Sequence, residues 1–293
     1  MLGRASAGAK MADSIFEHPR LAQIYDALEP ERPDLELYVG LVSELRARSV
    51  LDVGCGTGTF ACLLAHRGVR VTGLDPAQAS LDVARRKCGE TVGWVHGEAN
   101  ALPRLQVDLV TMTGNVAQVF LNDEEWDSVL RAIRKSLRRG GYFTFESRDP
   151  AKKAWLEWTR ERTYRRLSVA GEGLETWTDL LKVRDQFVSF RKTFVFECDG
   201  AVLTSDSTLR FRDRDQLVDS LKRAGMTLAD IRDAPDRPGL EFVFIARRPE
   251  DEQLDPILAG TGTPVMALPE DQTTGQAELA GRIAGRAGVQ ARA

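Results

Sequence analysis

From Ser49 onward, short apolar runs alternate with stretches of helical periodicity, the pattern of a parallel sheet whose strands are joined by crossover helices. The runs are 49–53, 70–74, 93–96 and 107–112, with a fifth at 142–147 after the Gly140-Gly141 pair. Between them, 59–66 reads as a helix stopped by Gly68, and 76–88 as a helix opened by Pro76, since a first helical turn has no use for the missing N–H. The clearest helix is 123–139. Trp126, Val129, Leu130, Ile133 and Leu137 share one face, and Asp123, Glu124 and Glu125 sit at the N-terminal end, where the helix dipole favours negative charge. Ahead of the sheet, 33–45 predicts an amphipathic helix with Tyr38, Leu41, Val42 and Leu45 on its apolar face, preceded by a short segment around 21–28.

After the fifth run the pattern changes. Residues 183–198 are rich in Phe, Val and Thr, Asp199-Gly200 supplies a type I′ turn signal, and 201–211 returns as a second strand, which predicts an antiparallel insertion. Helical periodicity resumes in 215–224, capped by Gly225, followed by strands at 226–231 and 240–246. From Pro249 onward Pro, Gly, Thr, Gln and Ala dominate without sustained periodicity, so 250–293 reads as a disordered tail. The expected layout is an α/β core formed by 15–150 and 212–249, an insertion at 151–211, a flexible N-terminus at 1–14 and the tail. No internal repeat is present.

Composition narrows the function classes. The 293 residues suffice for a full core, and 40 basic against 43 acidic residues leave a formal charge of -3, so bulk charge favours neither nucleic acid nor a membrane surface. The longest nearly apolar stretch, 107–121, contains Asp108 and Asn115 and is shorter than the roughly 18 to 20 residues a bilayer span needs. Residues 1–10 carry basic side chains with no apolar run behind them, which is not a signal peptide. Cys55, Cys62, Cys88 and Cys198 contain no C-x-x-C pair, and with His18, His66 and His96 they make no zinc spacing; a reduced, cytoplasmic chain is the expectation.

The chemistry concentrates in Val50-Leu51-Asp52-Val53-Gly54-Cys55-Gly56-Thr57-Gly58, a buried strand breaking into a glycine turn that opens a helix. Gly54 and Gly56 let a ligand approach the backbone, and the helix start offers free N–H groups. The spacing departs from the dinucleotide fingerprint G-x-G-x-x-G, because its third glycine position is Thr59, whereas Gly58 makes the pattern G-x-G-x-G. Asp52, just before the turn, would also sit poorly beside a pyrophosphate.

On these residues the chain resembles the class I S-adenosylmethionine-dependent methyltransferases, over roughly residues 25 to 247. The resemblance implies a Rossmann-like, doubly wound seven-stranded sheet carrying an antiparallel β lid after the fifth strand, with S-adenosyl-L-methionine as cofactor. It implies cofactor contacts along Asp52, Gly54, Cys55, Gly56 and Gly58. It implies a ribose-binding acid at Asp75 followed by Pro76, since Asp75 closes the second run 17 residues past Gly58. It further implies an adenine segment at Glu98 and Ala99, with Glu98 in place of the commoner aspartate, and contacts at Thr113 and Gly114. Tyr25 lies in a segment similar to a helix that covers the cofactor in small-molecule members. The insertion is similar in arrangement to the lid of sugar, amine and natural-product methyltransferases.

Structural readings stand beside these. Asp75 could cap a helix ahead of Pro76, Glu98 could be a solvated loop acid, and Tyr25 could serve packing alone. His96 reads as structural and Cys55 as a small buried residue. Between Arg131 and Arg166, 12 basic side chains face 4 acidic ones, which suits a solvated face, a small anionic acceptor or an RNA backbone. The overall expectation is metal-independent O- or N-methylation of a small molecule, with Tyr25, Asn115, Glu146 and Arg148 facing the acceptor and Glu146 as the residue a burial-raised pKa could make a base. No metal site is expected, because Arg148 stands between Glu146 and Asp149. An RNA methyltransferase and a non-catalytic cofactor-binding protein of the same fold are the alternatives. Acceptor identity and oligomeric state are not readable.

Overall fold

In a computed structural model, the structure describes residues 12–102 and 105–250. The tail expected from residue 250 lies outside the described residues from Asp251 on, as does the expected flexible N-terminus up to Met11. In chain order the elements are α1 (Ser14–Glu17), α2 (Pro19–Leu28), α3 (Asp34–Glu44), β1 (Ser49–Val53), α4 (Thr59–His66), β2 (Arg70–Asp75), α5 (Gln78–Cys88), β3 (Gly93–His96), β4 (Val107–Met112), α6 (Asp123–Ser136) and β5 (Leu137–Arg148). Then follow α7 (Arg160–Thr163), β6 (Arg165–Val169), β7 (Glu172–Arg184), β8 (Phe187–Phe196), β9 (Val202–Arg210), α8 (Arg214–Arg223), β10 (Thr227–Asp233) and β11 (Glu241–Arg247).

Seven strands form one sheet in the order β10-β11-β5-β4-β1-β2-β3. Strands β1 to β5 are parallel, and β11 slots antiparallel between β10 and β5. β1 is buried along its whole length because both its faces are covered. Leu51 and Val53 face a core built on α6 and α8, with Trp126, Ile133 and Leu217, while Val50 faces one built on α3 and α4, with Tyr38, Leu41 and Phe60. Period-2 alternation therefore shows up as a switch of core, not as a switch to polar residues. The fully buried Trp126 indole donates its one N–H to Ser220 Oγ at 2.9 Å, so burying the ring leaves no polar group unpaired.

The expected helix 123–139 stops at Ser136. Leu137 turns extended and pairs with Val107 of β4, so its side chain stays in the core as part of a strand. Similarly α5 begins at Gln78 with Ala77 as its cap, two residues later than Pro76 suggested.

The insertion is a four-stranded antiparallel sheet, β6-β7-β8-β9, larger than the hairpin expected. Asp199-Gly200 does lie in the connection from β8 to β9. Val183 and Arg184, however, end β7, and the chain reverses at Asp185, whose φ is +53°, before β8 begins. β7 escaped detection because Glu172, Glu175, Thr176, Thr178 and Asp179 dilute its apolar signal.

The cysteines correct a second expectation. Cys62 on α4 and Cys88 at the end of α5, 26 positions apart, are joined as a disulfide with Cα atoms 5.9 Å apart. Spacing in sequence could not reveal this, since the pair forms only where the two helices flank β2. Cys55 and Cys198 are free. No helix among the described residues is long and apolar enough to cross a membrane.

Candidate active site

The strand order reverses between β1 and β4, where a doubly wound sheet opens a crevice at the strands' carboxyl ends. There the chain turns from Val53 to Thr59 through Gly54, Gly56 and Gly58, all with φ between +53° and +77°. A Cβ at Gly54 would come within 2.6 Å of the Val116 side chain, and one at Gly58 within 2.5 Å of Trp94. At Gly56 a Cβ would meet no atom within 4 Å, so this residue faces open space. The N–H groups of Gly54 and Cys55 donate to Leu74 O at 2.8 and 3.1 Å, pinning the turn to β2.

Asp75 completes this frame. Its Oδ2 accepts from Gly56 N–H and its Oδ1 from Ala77 N–H, both at 2.8 Å. It therefore ties the turn to the start of α5 without capping that helix. Burial pushes its pKa up and the two N–H donors pull against that. Each carboxylate oxygen has a further lone pair for a ligand.

A cavity of about 550 Å³ opens beside this turn. It is lined by Asp52, Gly54, Cys55, Gly56, Asp75, Pro76, Glu98, Ala99, Thr113 and Gly114, so every candidate cofactor residue except Gly58 reaches it. Gly58 serves packing against Trp94 and Ala84. Asp52 accepts from Thr111 Oγ1 at 2.9 Å, and burial raises its pKa to about 7. Burial also pushes up the Cys55 thiol, and Glu98 accepts from Asn100 Nδ2 at 3.1 Å. His96 is structural, its Nε2 lying 2.9 Å from Pro76 O.

Of the candidate acceptor-facing groups, Tyr25, Asn115 and Arg148 line the cavity and Glu146 does not. Glu146 is buried behind them: Tyr38 O–H donates to its Oε2 at 2.5 Å and Asn115 N–H to its Oε1 at 2.9 Å. Burial raises the Glu146 pKa as expected, but both oxygens are committed to protein donors. Arg148 pairs with Glu241 (3.5 Å) and donates to Gln118 Oε1 (3.0 Å), so its partner is an acid on β11 and not Glu146. Asn115 has φ +61°, and its buried Oδ1 has no hydrogen-bond partner among the described residues. Burial, followed by the charge of Glu29, pushes the Tyr25 phenol up to about 12.

The structure adds residues the sequence did not single out. Asp26 on α2 accepts from Thr57 Oγ1 (2.6 Å) and Thr59 Oγ1 (3.1 Å) and pairs with Lys87 of α5 (2.6 Å). Burial opposes its ionisation, but the hydrogen bonds from Lys87 and Thr57 hold its pKa below the ordinary value. This cluster fastens α2 across the glycine turn. Its only signal in the sequence was the position of Asp26 beside Tyr25. Across the cavity, β8 and β9 contribute Phe190, Lys192, Ser205, Ser207, Thr208 and Leu209. From the basic stretch at 131–166, Arg148 reaches the cavity. Arg160 instead stacks 4.2 Å over Trp177, and Arg166 forms a two-pronged pair with Glu197.

Residues 50–141 match the family profile described as a methyltransferase domain. Among curated proteins, the chain is 37% identical over 109 residues to the cypemycin N-terminal methyltransferase of a Streptomyces species, covering 36% of this chain and 44% of that protein. It is 32% identical over 118 residues to the ubiquinone biosynthesis O-methyltransferase of Idiomarina loihiensis, covering 38% of this chain and 47% of that one. The chain thus spans about half the length of these curated relatives. Among solved structures, the sugar N-methyltransferase KedS8 of a Streptoalloteichus species superposes with a TM-score of 0.65 at 17% identity, over 85% of this chain and 99% of that one. That likeness carries the fold.

Proposed function

We propose, from the premise that this chain carries a class I S-adenosylmethionine-dependent methyltransferase domain, that it transfers a methyl group to a hydroxyl or amine of a small molecule without using a metal. The observation that carries the reading is one cavity running from the glycine turn to the inserted sheet, with ligand-ready groups along it. The open face of Gly56, the spare lone pairs of Asp75 and the unpartnered Oδ1 of Asn115 fit a cofactor that offers a ribose diol and a charged amino acid end. When bound, the cofactor supplies a methyl group on a sulfonium whose departure leaves a neutral thioether.

The protein's work is then mainly alignment, which can supply a large part of a rate enhancement by itself. Asp75 would accept from the ribose hydroxyls, with Glu98, Ala99 and Val116 around the base. Asn115 would accept from the nucleophile or the cofactor's amine. Glu146 holds the Asn115 backbone through the N–H it accepts, which makes it a positioning residue. Tyr25, with its pKa near 12, keeps its proton at neutral pH and can donate a hydrogen bond but not act as a base. Independence from metal is supported by the commitment of Glu146 to Tyr38 and Asn115 and by the Arg148 guanidinium two residues on.

The test is transfer of label from S-adenosylmethionine into a small-molecule extract compared with total RNA, with and without EDTA. Label in the small-molecule fraction, unchanged by EDTA, is the expected result. Label in RNA, or tight cofactor binding with no transfer at all, overturns it, and loss of activity in EDTA restored by magnesium overturns the metal-free part.

A further inference from the structure

The inner face of the inserted sheet is apolar at both ends and polar in the middle. At one end Phe194 and Phe196 of β8 pack with Leu174 of β7 and with Ile24 and Leu28 of α2. At the other end Val188 packs with Trp155 and Phe211, with Leu180, Leu209 and Trp158 against them. Between these clusters β8 carries Lys192, on the same face as Phe190 and Phe194 by the period-2 alternation of a strand. Its cross-strand neighbours are Thr178 on β7 and Ser205 on β9, and with Ser207 opposite Phe190 and Thr176 opposite Phe194 the middle of this face is polar. Lys192 and Ser205 both line the cavity.

Among the described residues four cations line that cavity: Arg32, Lys87, Arg148 and Lys192. Arg32 is held by Asp34, Lys87 by Asp26, and Arg148 by Glu241 and Gln118. The Lys192 ammonium makes no hydrogen bond or ion pair among the described residues, and its contact is with the face of the Phe194 ring, whose centre lies 5.9 Å from Nζ. Burial lowers its pKa, Glu29 at the end of α2 acts to raise it, and Arg165 acts to lower it. An aromatic face at that distance is a weak counterpart for a partly buried ammonium, and a residue serving only to fill this face would not need the charge. Ser205 Oγ already accepts from Ile15 N–H at 2.9 Å, which leaves its O–H free to donate to a ligand beside Lys192.

We infer that the acceptor carries an anionic group, a carboxylate or a phosphate ester, that pairs with Lys192 on β8 while the rest of the acceptor lies along Phe190 toward Asn115. This rests on the proposed methyl transfer and names the acceptor's chemical class. Lys192 is then a specificity residue on the inserted sheet, and it owes nothing to the basic stretch at 131–166.

The experiment uses the full chain saturated with S-adenosylhomocysteine, titrated with benzoate, phenyl phosphate and the neutral benzyl alcohol, in the native protein and in Lys192→Met and Lys192→Arg. At least one anion should bind about tenfold or more tightly than benzyl alcohol, as expected for one charge-assisted hydrogen bond. That preference should vanish in Lys192→Met and persist in Lys192→Arg, with S-adenosylhomocysteine affinity unchanged within about twofold in all three proteins. Which anion wins separates a carboxylate from a phosphate ester. Equal or undetectable binding of anions and alcohol, or an anion preference that survives Lys192→Met, overturns the inference while leaving the methyltransferase reading in place. Failure of the native chain to bind S-adenosylhomocysteine would instead remove that reading and this one with it.

Discussion

The two ends of the cavity are built from different materials. At the glycine turn the recognition surface is mostly backbone: three left-handed glycines, N–H groups directed at Leu74 O and Asp75, and one carboxylate that braces the turn while keeping lone pairs for a ligand. At the inserted sheet it is side chain, with Phe190, Lys192, Ser205 and Leu209 projecting from β8 and β9 onto a frame of ordinary antiparallel pairing. A backbone-built site tolerates little change, because moving it means moving the sheet. A side-chain-built site can be rewritten residue by residue without disturbing the strands that carry it. Conserving one cofactor while varying acceptors would use the two ends in just this way.

That contrast can be broken first at Asp75. Asp75→Ala removes the brace and the ligand's acceptor together, and two charge-assisted hydrogen bonds at about 1.5 to 3 kcal/mol each predict a fall of about 100-fold or more in S-adenosylhomocysteine affinity. Calorimetry giving native affinity would end the ribose assignment. A smaller but informative effect is expected at Phe190, whose ring packs 4.7 Å from that of Trp158. Phe190→Ala should raise the acceptor's KM about tenfold while cofactor affinity stays within about twofold, since the ring is carried by the inserted sheet and not by the glycine turn. Steady-state kinetics showing the loss in cofactor binding instead would mean the two ends are not separable.

Glu146 probes the ground between them. Glu146→Gln replaces an acceptor by a donor opposite Tyr38 O–H or Asn115 N–H and should cost about 1 to 3 kcal/mol of unfolding free energy. The rate per folded molecule should nevertheless keep its pH profile between about pH 6 and 9. A profile that loses a basic limb would restore Glu146 as a base. A further effect, on stability alone, concerns Asp52. Because its native pKa, about 7, lies above the unfolded value, the folded chain holds more protons than the unfolded one between roughly pH 4 and 7, and stability should decline as pH rises through that window. Asp52→Asn should flatten the decline in cofactor-free protein, measured by urea unfolding at a series of pH values. An unchanged slope would assign the dependence to other groups.

Legibility in the sequence followed the same division. The strand, glycine turn and Asp75 could be read because backbone-built sites need particular residue types at fixed spacing: glycine where φ is positive, and an acid at a strand end. Gly58 fits that spacing yet turns out to answer to Trp94, since packing and ligand approach demand the same missing side chain. The inserted strand β7 was missed because a half-solvated antiparallel strand mixes Glu, Thr and Asp with its apolar positions. Glu146 was read as a group facing the acceptor, but the partner that occupies it, Tyr38, lies 108 positions earlier on α3.

By itself the sequence determined the α/β alternation, the glycine turn, the acid that closes the second strand and the existence of an insertion after the fifth strand, because each is governed by local periodicity or by the φ a residue can adopt. Only the tertiary structure decided which charges have partners. The pairing of Asp26 with Lys87, of Arg148 with Glu241 and of Cys62 with Cys88, and the lack of a hydrogen-bond or ion-pair partner for the Lys192 ammonium among the described residues, depend on side chains brought together from distant elements. The free energy of a buried charge is set by its neighbours in space, and no spacing along the chain reports them.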